Sequence, residues 1–146
     1  MPDSDCIFCK ILQKDLPYKF YENGHFIAIL DLNPLVPGHS LLVPKKHYRD
    51  AREFPLEVSQ IYLPSIQKVI SILEANLEKI ENFTVCQSIG EAAYQTIPHG
   101  HSHIIPRWEG DPIGPLPIDR AYPKKIRKPL NEEWAAQLIR KIRSTS

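Results

Sequence analysis

The sequence has no apolar run at its N-terminus and no long apolar segment of the kind that membrane-spanning helices contain. Its first ten residues, MPDSDCIFCK, are polar and acidic, which excludes an ordinary apolar signal peptide in this stretch. No run approaches the roughly 18 apolar residues that a membrane-spanning helix requires. We therefore expect a cytoplasmic protein that does not associate with a membrane.

Cysteine is scarce, since the chain has only Cys6, Cys9 and Cys86. An odd number of cysteines without an export signal argues against a framework of disulfide bonds. The sequence also has no internal repeat and no glycine-rich phosphate loop of the Walker or Rossmann kind. These absences exclude the disulfide-rich class of small secreted domains and both of those phosphate-binding motifs.

A strong overall charge is absent as well, because the net charge is only +1. The distribution is uneven: residues 120–146 carry eight lysines and arginines against two glutamates, a local charge of +6, and residues 1–119 carry −5. A basic C-terminal segment of this kind could bind an anionic partner or could be a solvated surface. We expect no nucleic-acid partner.

What the sequence does contain is the pattern of one folded domain, with 42% hydrophobic residues in a chain of 146. The turn dipeptide Asn23-Gly24 separates two strand-like runs. Apolar residues recur at helical spacing after residue 56, although Pro64 should kink or break that helix, and Asn131 can cap a later one. The predicted elements are helices at 5–14, 56–80 and 131–143, a hairpin at 18–34, strands at 38–48, 82–90 and 101–108, and an extended loop at 106–129.

This order of elements predicts an α+β fold, because hairpins and one long helix link the strands and no βαβ alternation appears. We expect an antiparallel sheet of about five strands with one long helix and a short C-terminal helix. Residues 1–108 should form the core of the domain. Residues 109–146 should form a proline-rich, basic extension whose helix packs on the same domain.

Three of the six histidines, His99, His101 and His103, alternate within PHGHSHIIPRW. On a regular strand they would share one face, with neighbouring residues about 6.6 Å apart and the outer pair about 13 Å apart. Zinc holds nitrogen at about 2.0–2.1 Å, so one metal could take at most two of them. The spacing leaves two interpretations open, a metal site that uses one adjacent pair and an imidazole that acts as nucleophile or general base.

Other polar residues near this run could bind an oxyanion or hydroxyl groups. Ser88, Gln95 and Thr96 could donate hydrogen bonds to an oxyanion. Asp31 follows a predicted strand, where its carboxylate could accept two hydroxyl groups of a ribose. His39 is part of the next strand, in the segment PGHSLLVPKKH.

At these residues the chain resembles the histidine triad (HIT) family of nucleotide hydrolases and transferases. The resemblance covers roughly residues 5–108, and it is carried by PHGHSHIIPR and by LDLNPLVPGHSLLVPKKH, which stand about fifty residues apart. It implies an enzyme that acts on nucleoside phosphoramidates or dinucleoside polyphosphates through a covalent nucleotidyl-histidine. It also implies a homodimer and a reaction that requires no catalytic metal.

The resemblance assigns roles to individual side chains. The middle histidine of the motif, His101, would attack the α-phosphorus, and His103 would contact the phosphate oxygens or the bridging atom of the leaving group. His39 would sit beside His101 and hold its orientation. Asp31 matches the position that holds the ribose hydroxyls. The positions that line the phosphate match Gln95 and Thr96.

The chain departs from the family pattern at three positions. The residues between the histidines are usually apolar, but here they are Gly100 and Ser102. They leave room in the core that we expect Trp108 and Tyr94 to fill. The third departure is Ser88, a position where many members have asparagine.

The pair Cys6 and Cys9 has the CxxC spacing that lets two thiolates share a zinc ion, although a redox motif or two ordinary thiols would have the same spacing. Some bacterial-type members of the family have an N-terminal CxxC and hold a structural zinc. The resemblance to these proteins implies zinc ligands at Cys6, Cys9, His47 and His99. Cys86 is expected in the core.

Three alternatives to a hydrolase remain open. A diadenosine polyphosphate phosphorylase would use phosphate in place of water. A regulatory protein could bind nucleotides with little turnover. A zinc-dependent interaction module could act through the basic C-terminal region.

Overall fold

Within residues 5–115 and 127–145, which a computed structural model describes, the chain forms five strands and three α-helices. The strands are β1 (Lys19–Glu22), β2 (Phe26–Leu30), β3 (Ser40–Pro44), β4 (Asn82–Cys86) and β5 (Ser102–Arg107). The helices are α1 (Ile7–Leu12), α2 (Leu56–Asn76) and α3 (Glu132–Thr145). None of these helices is long and apolar enough to cross a membrane.

The five strands form one antiparallel sheet in the order β1-β2-β3-β5-β4. The β1–β2 hairpin turns where the sequence predicts it, and the Asn23 Oδ1 atom accepts hydrogen bonds from the backbone N–H groups of His25 and Phe26, at 2.9 Å each. Helix α2 makes the long connection between β3 and β4. The predicted α+β fold is therefore confirmed.

Both faces of the central strands are buried, because side chains on a strand alternate between two separate cores. On β2, Phe26, Ala28 and Leu30 pack with α2 and α3, while Ile27 and Ile29 pack with α1. The core on the face that carries α1 is the smaller of the two. His103, near the start of β5, pairs with Leu41 and therefore lies on that face.

Helix α2 ends earlier than predicted, at Asn76 instead of residue 80. It continues through Pro64, so the break that was one of two expected effects of this proline does not occur. Leu77 leaves the helix in an extended conformation and packs against Gly38, where φ is +90° and an added Cβ would collide with the leucine side chain. The contact at Gly38 explains the early end, because a helical Leu77 would leave this space empty.

Helix α3 attaches the C-terminal part of the chain to the core. Asn131 caps it as predicted, since its Oδ1 accepts the N–H of Trp134 at 3.0 Å. The buried face of the helix packs in the core with β1 and α2. It consists of Ala135, Leu138, Ile139 and Ile142. The predicted extended loop at 106–129 begins inside β5, and its residues 116–126 lie outside the described part of the chain.

The loop after β5 is held by one carboxylate. Asp111 accepts hydrogen bonds from the Arg107 guanidinium at 2.6 and 3.2 Å, and from the backbone N–H groups of Ile113 and Gly114 at 3.0 and 3.1 Å. These donors, chiefly Arg107, lower the pKa of the Asp111 carboxyl to about 2. Ile113 packs on Leu35, so the carboxylate indirectly supports the loop that leads into β3.

Asp111→Asn is expected to destabilise the protein by about 2 kcal/mol at neutral pH, because the charge-assisted bonds to Arg107 are lost. A carboxyl with a lowered pKa stabilises the fold above its ordinary pKa of about 4, and that contribution disappears as the pH falls toward about 2. Urea unfolding of both proteins between pH 7 and pH 3 measures this. A difference that does not shrink as the pH falls would contradict it.

Candidate functional site

The three histidines do not lie on one regular strand. His99, Gly100 and His101 precede β5, and only His103 lies within it. Gly100 donates its N–H to the Tyr48 carbonyl at 2.7 Å and approaches the backbone of Asp50 so closely that a Cβ would lie 3.2 Å from that Cα. This close approach separates His99 from the other two histidines, and the segment serves two different clusters.

The first cluster joins the N-terminal segment to this irregular stretch. Cys6 caps α1, where its Sγ accepts the Cys9 N–H at 3.4 Å, so that both thiols face the same space. The Cys6 Sγ lies 3.4 Å from His99 Nδ1, and the Cys9 Sγ lies 3.2 Å from His47 Nδ1 and 3.5 Å from His99 Nδ1. The four side chains that the resemblance groups together are therefore adjacent, with all ligand atoms within 4.8 Å of one another.

The geometry of this cluster fits a tetrahedral zinc ion. Zinc–sulfur and zinc–nitrogen bonds of about 2.3 and 2.0 Å would place sulfur and nitrogen about 3.5 Å apart, close to the observed distances. His99 is fully buried, and its Nε2 lies 2.9 Å from the Pro44 carbonyl, so Nε2 carries the proton and Nδ1 keeps its lone pair toward the thiols. Burial lowers the pKa of His99 to about 4, which favours the neutral form that binds metal.

His101 is oriented by the backbone of His99. Its Nδ1 lies 2.8 Å from the His99 carbonyl oxygen, which can only accept, so Nδ1 is the protonated nitrogen. The ring of Phe8 contacts His101 edge-on, with centroids 5.0 Å apart. Nε2 therefore keeps its lone pair, and burial lowers the pKa of His101 so that the ring is neutral. A neutral imidazole with an oriented free nitrogen can act as a nucleophile.

His39 forms its side-chain hydrogen bond to His103, and the expected orienting role of His39 at His101 stays a prediction. The His39 Nδ1 accepts the Leu35 N–H at 3.0 Å, which leaves the proton on Nε2. His39 Nε2 then donates to His103 Nδ1 at 2.8 Å, and the proton of His103 must lie on Nε2. Burial lowers the pKa of His39 to about 4 and that of His103 well below its ordinary value.

Asp31 lies beside this histidine pair. The carboxylate is largely buried, and its Oδ1 accepts the Asn33 N–H at 2.8 Å. The Oδ2 atom lies 3.5 Å from His39 Nε2, 4.0 Å from His103 Nδ1 and 3.5 Å from Arg127 Nη1. The predicted ribose acceptor is thus next to two of the predicted catalytic histidines.

The ligand atoms of Asp31, His39 and His103 lie within 4.8 Å of one another, which raises the question of a second metal. The tautomer of His39 opposes this. Because Nδ1 accepts a backbone N–H, Nε2 bears the proton of the neutral ring and has no lone pair for a cation. Asp31, His39 and His103 are therefore better described as a hydrogen-bonded group than as a metal site.

The three other predicted substrate contacts lie on the segment between β4 and β5. Ser88 and Thr96 are exposed. The amide of Gln95 donates to the carbonyls of Arg49 and Ile97 at 2.6 and 2.9 Å. Its donors therefore hold the loop in place. Contacts of Ser88, Gln95 and Thr96 with a substrate stay predictions.

Two expectations about the core near the motif are wrong. Ser102 is buried and bonded to the Tyr62 hydroxyl at 2.5 Å and to the Gln87 amide at 2.9 Å, so these side chains occupy the space expected for Trp108 and Tyr94. Tyr94 is exposed, and Trp108 packs in a separate small cluster. Cys86, expected in the core, is exposed at the end of β4.

Sequence patterns did not single out Arg127 or Phe8. Arg127 stands 96 residues after Asp31, and its guanidinium also donates to the Asn33 carbonyl at 3.0 Å. Only its place in the basic C-terminal region signalled it. Phe8 carries no signal beyond an apolar position between the two cysteines.

One family model and several curated proteins match this chain by sequence. A family model described as the HIT domain matches residues 17–110. A HIT-like protein of Methanocaldococcus jannaschii is 39% identical over 107 residues, which are 73% of this chain and 81% of that protein. An adenylylsulfatase of Arabidopsis thaliana is 36% identical and covers 96% of this chain and 68% of its own length. An adenosine 5'-monophosphoramidase of Schizosaccharomyces pombe is also 36% identical, over 77% of this chain and 90% of its own.

Solved structures extend the likeness to the whole chain. A HIT-like protein of Bartonella henselae, described as involved in cell-cycle regulation, superposes with a TM-score of 0.77 at 28% identity, covering 100% of this chain and 99% of that one. A zinc-bound histidine triad protein of Mycobacterium smegmatis gives 0.70 at 26% identity, covering 97% and 98%. The family match, the relatives and the arrangement of the motif histidines agree, and the chain belongs to the HIT domain family.

Proposed function

We propose that this HIT-family enzyme cleaves nucleotides at the α-phosphate, with His101 as the nucleophile. The substrates would be nucleoside phosphoramidates or dinucleoside polyphosphates, in which a nucleoside monophosphate is joined to a leaving group. The observation that carries the proposal is the hydrogen bond from His101 Nδ1–H to the His99 carbonyl, because it leaves Nε2 free to attack. The relatives named as adenosine 5'-monophosphoramidase and adenylylsulfatase support this class of substrate.

The reaction would proceed in two displacements. In the first, His101 Nε2 forms a bond to the α-phosphorus, and the electron pair of the old bond departs with the leaving group. The proton-bearing Nε2 of His103, fixed by the bond from His39, would donate a hydrogen bond to the bridging atom and stabilise its growing charge. In the second, water attacks phosphorus, the bonding pair returns to His101, and solvent takes up the released proton.

Asp31 would hold the ribose. Its carboxylate is placed beside the histidine pair by β2 and by a backbone hydrogen bond from Asp31 N to the His39 carbonyl at 2.9 Å. Only Oδ1 accepts a backbone N–H, so lone pairs remain for two hydroxyl groups. A nucleotide bound in this way would bring its α-phosphate toward His101.

Zinc would have a structural role at the first cluster. Cys6, Cys9, His47 and His99 would supply four ligands, which leaves no open coordination position for a substrate. When bound, the ion would supply a cross-link between α1 and the segment before β5. The zinc-bound relative from Mycobacterium smegmatis supports this proposal.

A homodimer in the cytoplasm, expected from the resemblance and the sequence, remains part of the proposal. Light scattering coupled to gel filtration tests the dimer.

His101→Ala is expected to abolish turnover of adenosine 5'-monophosphoramidate and diadenosine triphosphate while nucleotide binding persists. The ring supplies the bond-forming atom, so the loss should exceed the 10²–10⁴-fold that is typical of a general acid–base group. Assays with and without inorganic phosphate separate hydrolase from phosphorylase. His25→Ala, in the β1–β2 turn, is the control. Turnover by His101→Ala near the control rate would refute the nucleophile.

Asp31→Asn is expected to weaken binding of adenosine monophosphate by roughly ten- to a hundredfold, because hydrogen bonds to a charged acceptor contribute about 1.5–3 kcal/mol. Calorimetry with the dideoxy analogue provides the control, since a ligand without ribose hydroxyls should lose no affinity for the variant. An equal loss of affinity for both ligands would show that Asp31 does not bind the ribose.

Cys9→Ser is expected to lower the zinc content from one ion per chain and to reduce the melting temperature by several degrees, because metal binding stabilises the fold. Elemental analysis and calorimetry of protein purified without chelator measure both effects. Cys86→Ser, the matched control at the exposed thiol, should retain zinc and stability. A zinc-free protein of full stability would show that the four ligands are ordinary side chains.

A further inference from the structure

The nucleotide site contains a buried negative charge that a nucleotide must approach. Asp31 is only 7% exposed, and it lies within 4.0 Å of His39 and His103. The α-phosphate of every proposed substrate is anionic, and the leaving group of a dinucleoside polyphosphate is anionic as well. An uncompensated carboxylate at this position would therefore repel the phosphates as its oxygens bind the ribose.

The two histidines beside Asp31 do not cancel its charge. Nδ1 of His39 accepts a backbone N–H, and Nδ1 of His103 accepts from His39 Nε2, so each ring has one unprotonated nitrogen. A ring with one unprotonated nitrogen is neutral. The hydrogen bonds alone thus fix both rings as uncharged, and together with Asp31 they carry one negative charge.

Arg127 supplies the missing positive charge. Its Nη1 lies 3.5 Å from Asp31 Oδ2, and a hydrogen bond to the Asn33 carbonyl at 3.0 Å anchors it there. A backbone bond from Leu130 N to the Leu32 carbonyl at 2.8 Å fixes the same segment. The Arg127 side chain is 31% exposed, so it is accessible to solvent and to a ligand.

We propose that Arg127 balances the charge of Asp31 and thereby sets how well the site accepts nucleotides with several ionised phosphates. The inference rests on the proposed function, since it concerns the same nucleotide site. A phosphoramidate of adenosine monophosphate carries a single ionised phosphoryl group, whereas diadenosine triphosphate carries a chain of three. Removal of Arg127 leaves a net negative site, whose repulsion grows with each additional phosphate charge.

The test compares substrates that differ in charge. Arg127→Gln should lower kcat/KM for diadenosine triphosphate about tenfold more than for adenosine 5'-monophosphoramidate at low ionic strength. The extra loss should shrink at high salt, because the site is partly exposed. Arg127→Lys should restore most of the selectivity, since it keeps the charge. Lys128→Gln, the exposed neighbouring cation, is the matched control and should leave the selectivity unchanged.

Binding separates failure of this inference from failure of the proposed function. Affinities of AMP and ATP for the wild-type chain and for Arg127→Gln should show a larger loss for ATP, whether or not the chain turns over substrate. Equal losses of affinity for AMP and ATP, in a chain that still turns over substrate, would overturn the proposed role of Arg127 and leave the proposed function intact. A gain in affinity would show that Arg127 competes with the ribose for Asp31, and failure of lysine to rescue would show that its hydrogen bonds matter instead of its charge. Either result overturns the proposal.

Discussion

His99 is the residue on which the rest of the site depends. Its ring lies against Cys6 and Cys9, and its backbone carbonyl accepts a hydrogen bond from the protonated Nδ1 of His101. One residue therefore belongs to the cluster that fits zinc and also fixes the ring proposed as nucleophile. A shift of the His99 backbone would change the direction of the His101 lone pair, and the proposed metal would oppose such a shift by tying the ring to α1.

Protonation at the site is set by hydrogen bonds whose partners have fixed roles. A carbonyl can only accept, so it assigns the proton of His101 to Nδ1, and a backbone N–H can only donate, so it assigns the proton of His39 to Nε2. Burial lowers the pKa values of both rings in the same direction. The site can therefore present neutral imidazoles at neutral pH without a charged partner at each ring.

The sequence predicted the fold, and several side chains that it singled out are adjacent in the structure, but it did not predict the contacts among them. Hairpin turns, caps and helical periodicity are local signals, and they placed the elements of the α+β fold correctly. The predicted end of α2 was wrong because Leu77 packs against Gly38, a residue that is distant in the sequence. The pairing of His39 with His103 and the approach of Arg127 to Asp31 join residues far apart in the chain, and no local pattern encodes such contacts.

The hydrogen bonds around Ser102 have a consequence for how this chain can change over evolutionary time. Ser102 is fully buried, and its hydroxyl bonds to Tyr62 and Gln87, which are each half-buried. An apolar residue at position 102 would leave the tyrosine hydroxyl and the glutamine amide without this partner, and a lost hydrogen bond costs about 1–3 kcal/mol where water cannot replace it. Substitution at position 102 alone is therefore unfavourable, and replacement of Tyr62 by phenylalanine would remove part of that cost. The serine inside the motif and the tyrosine on α2 should thus be inherited as a pair.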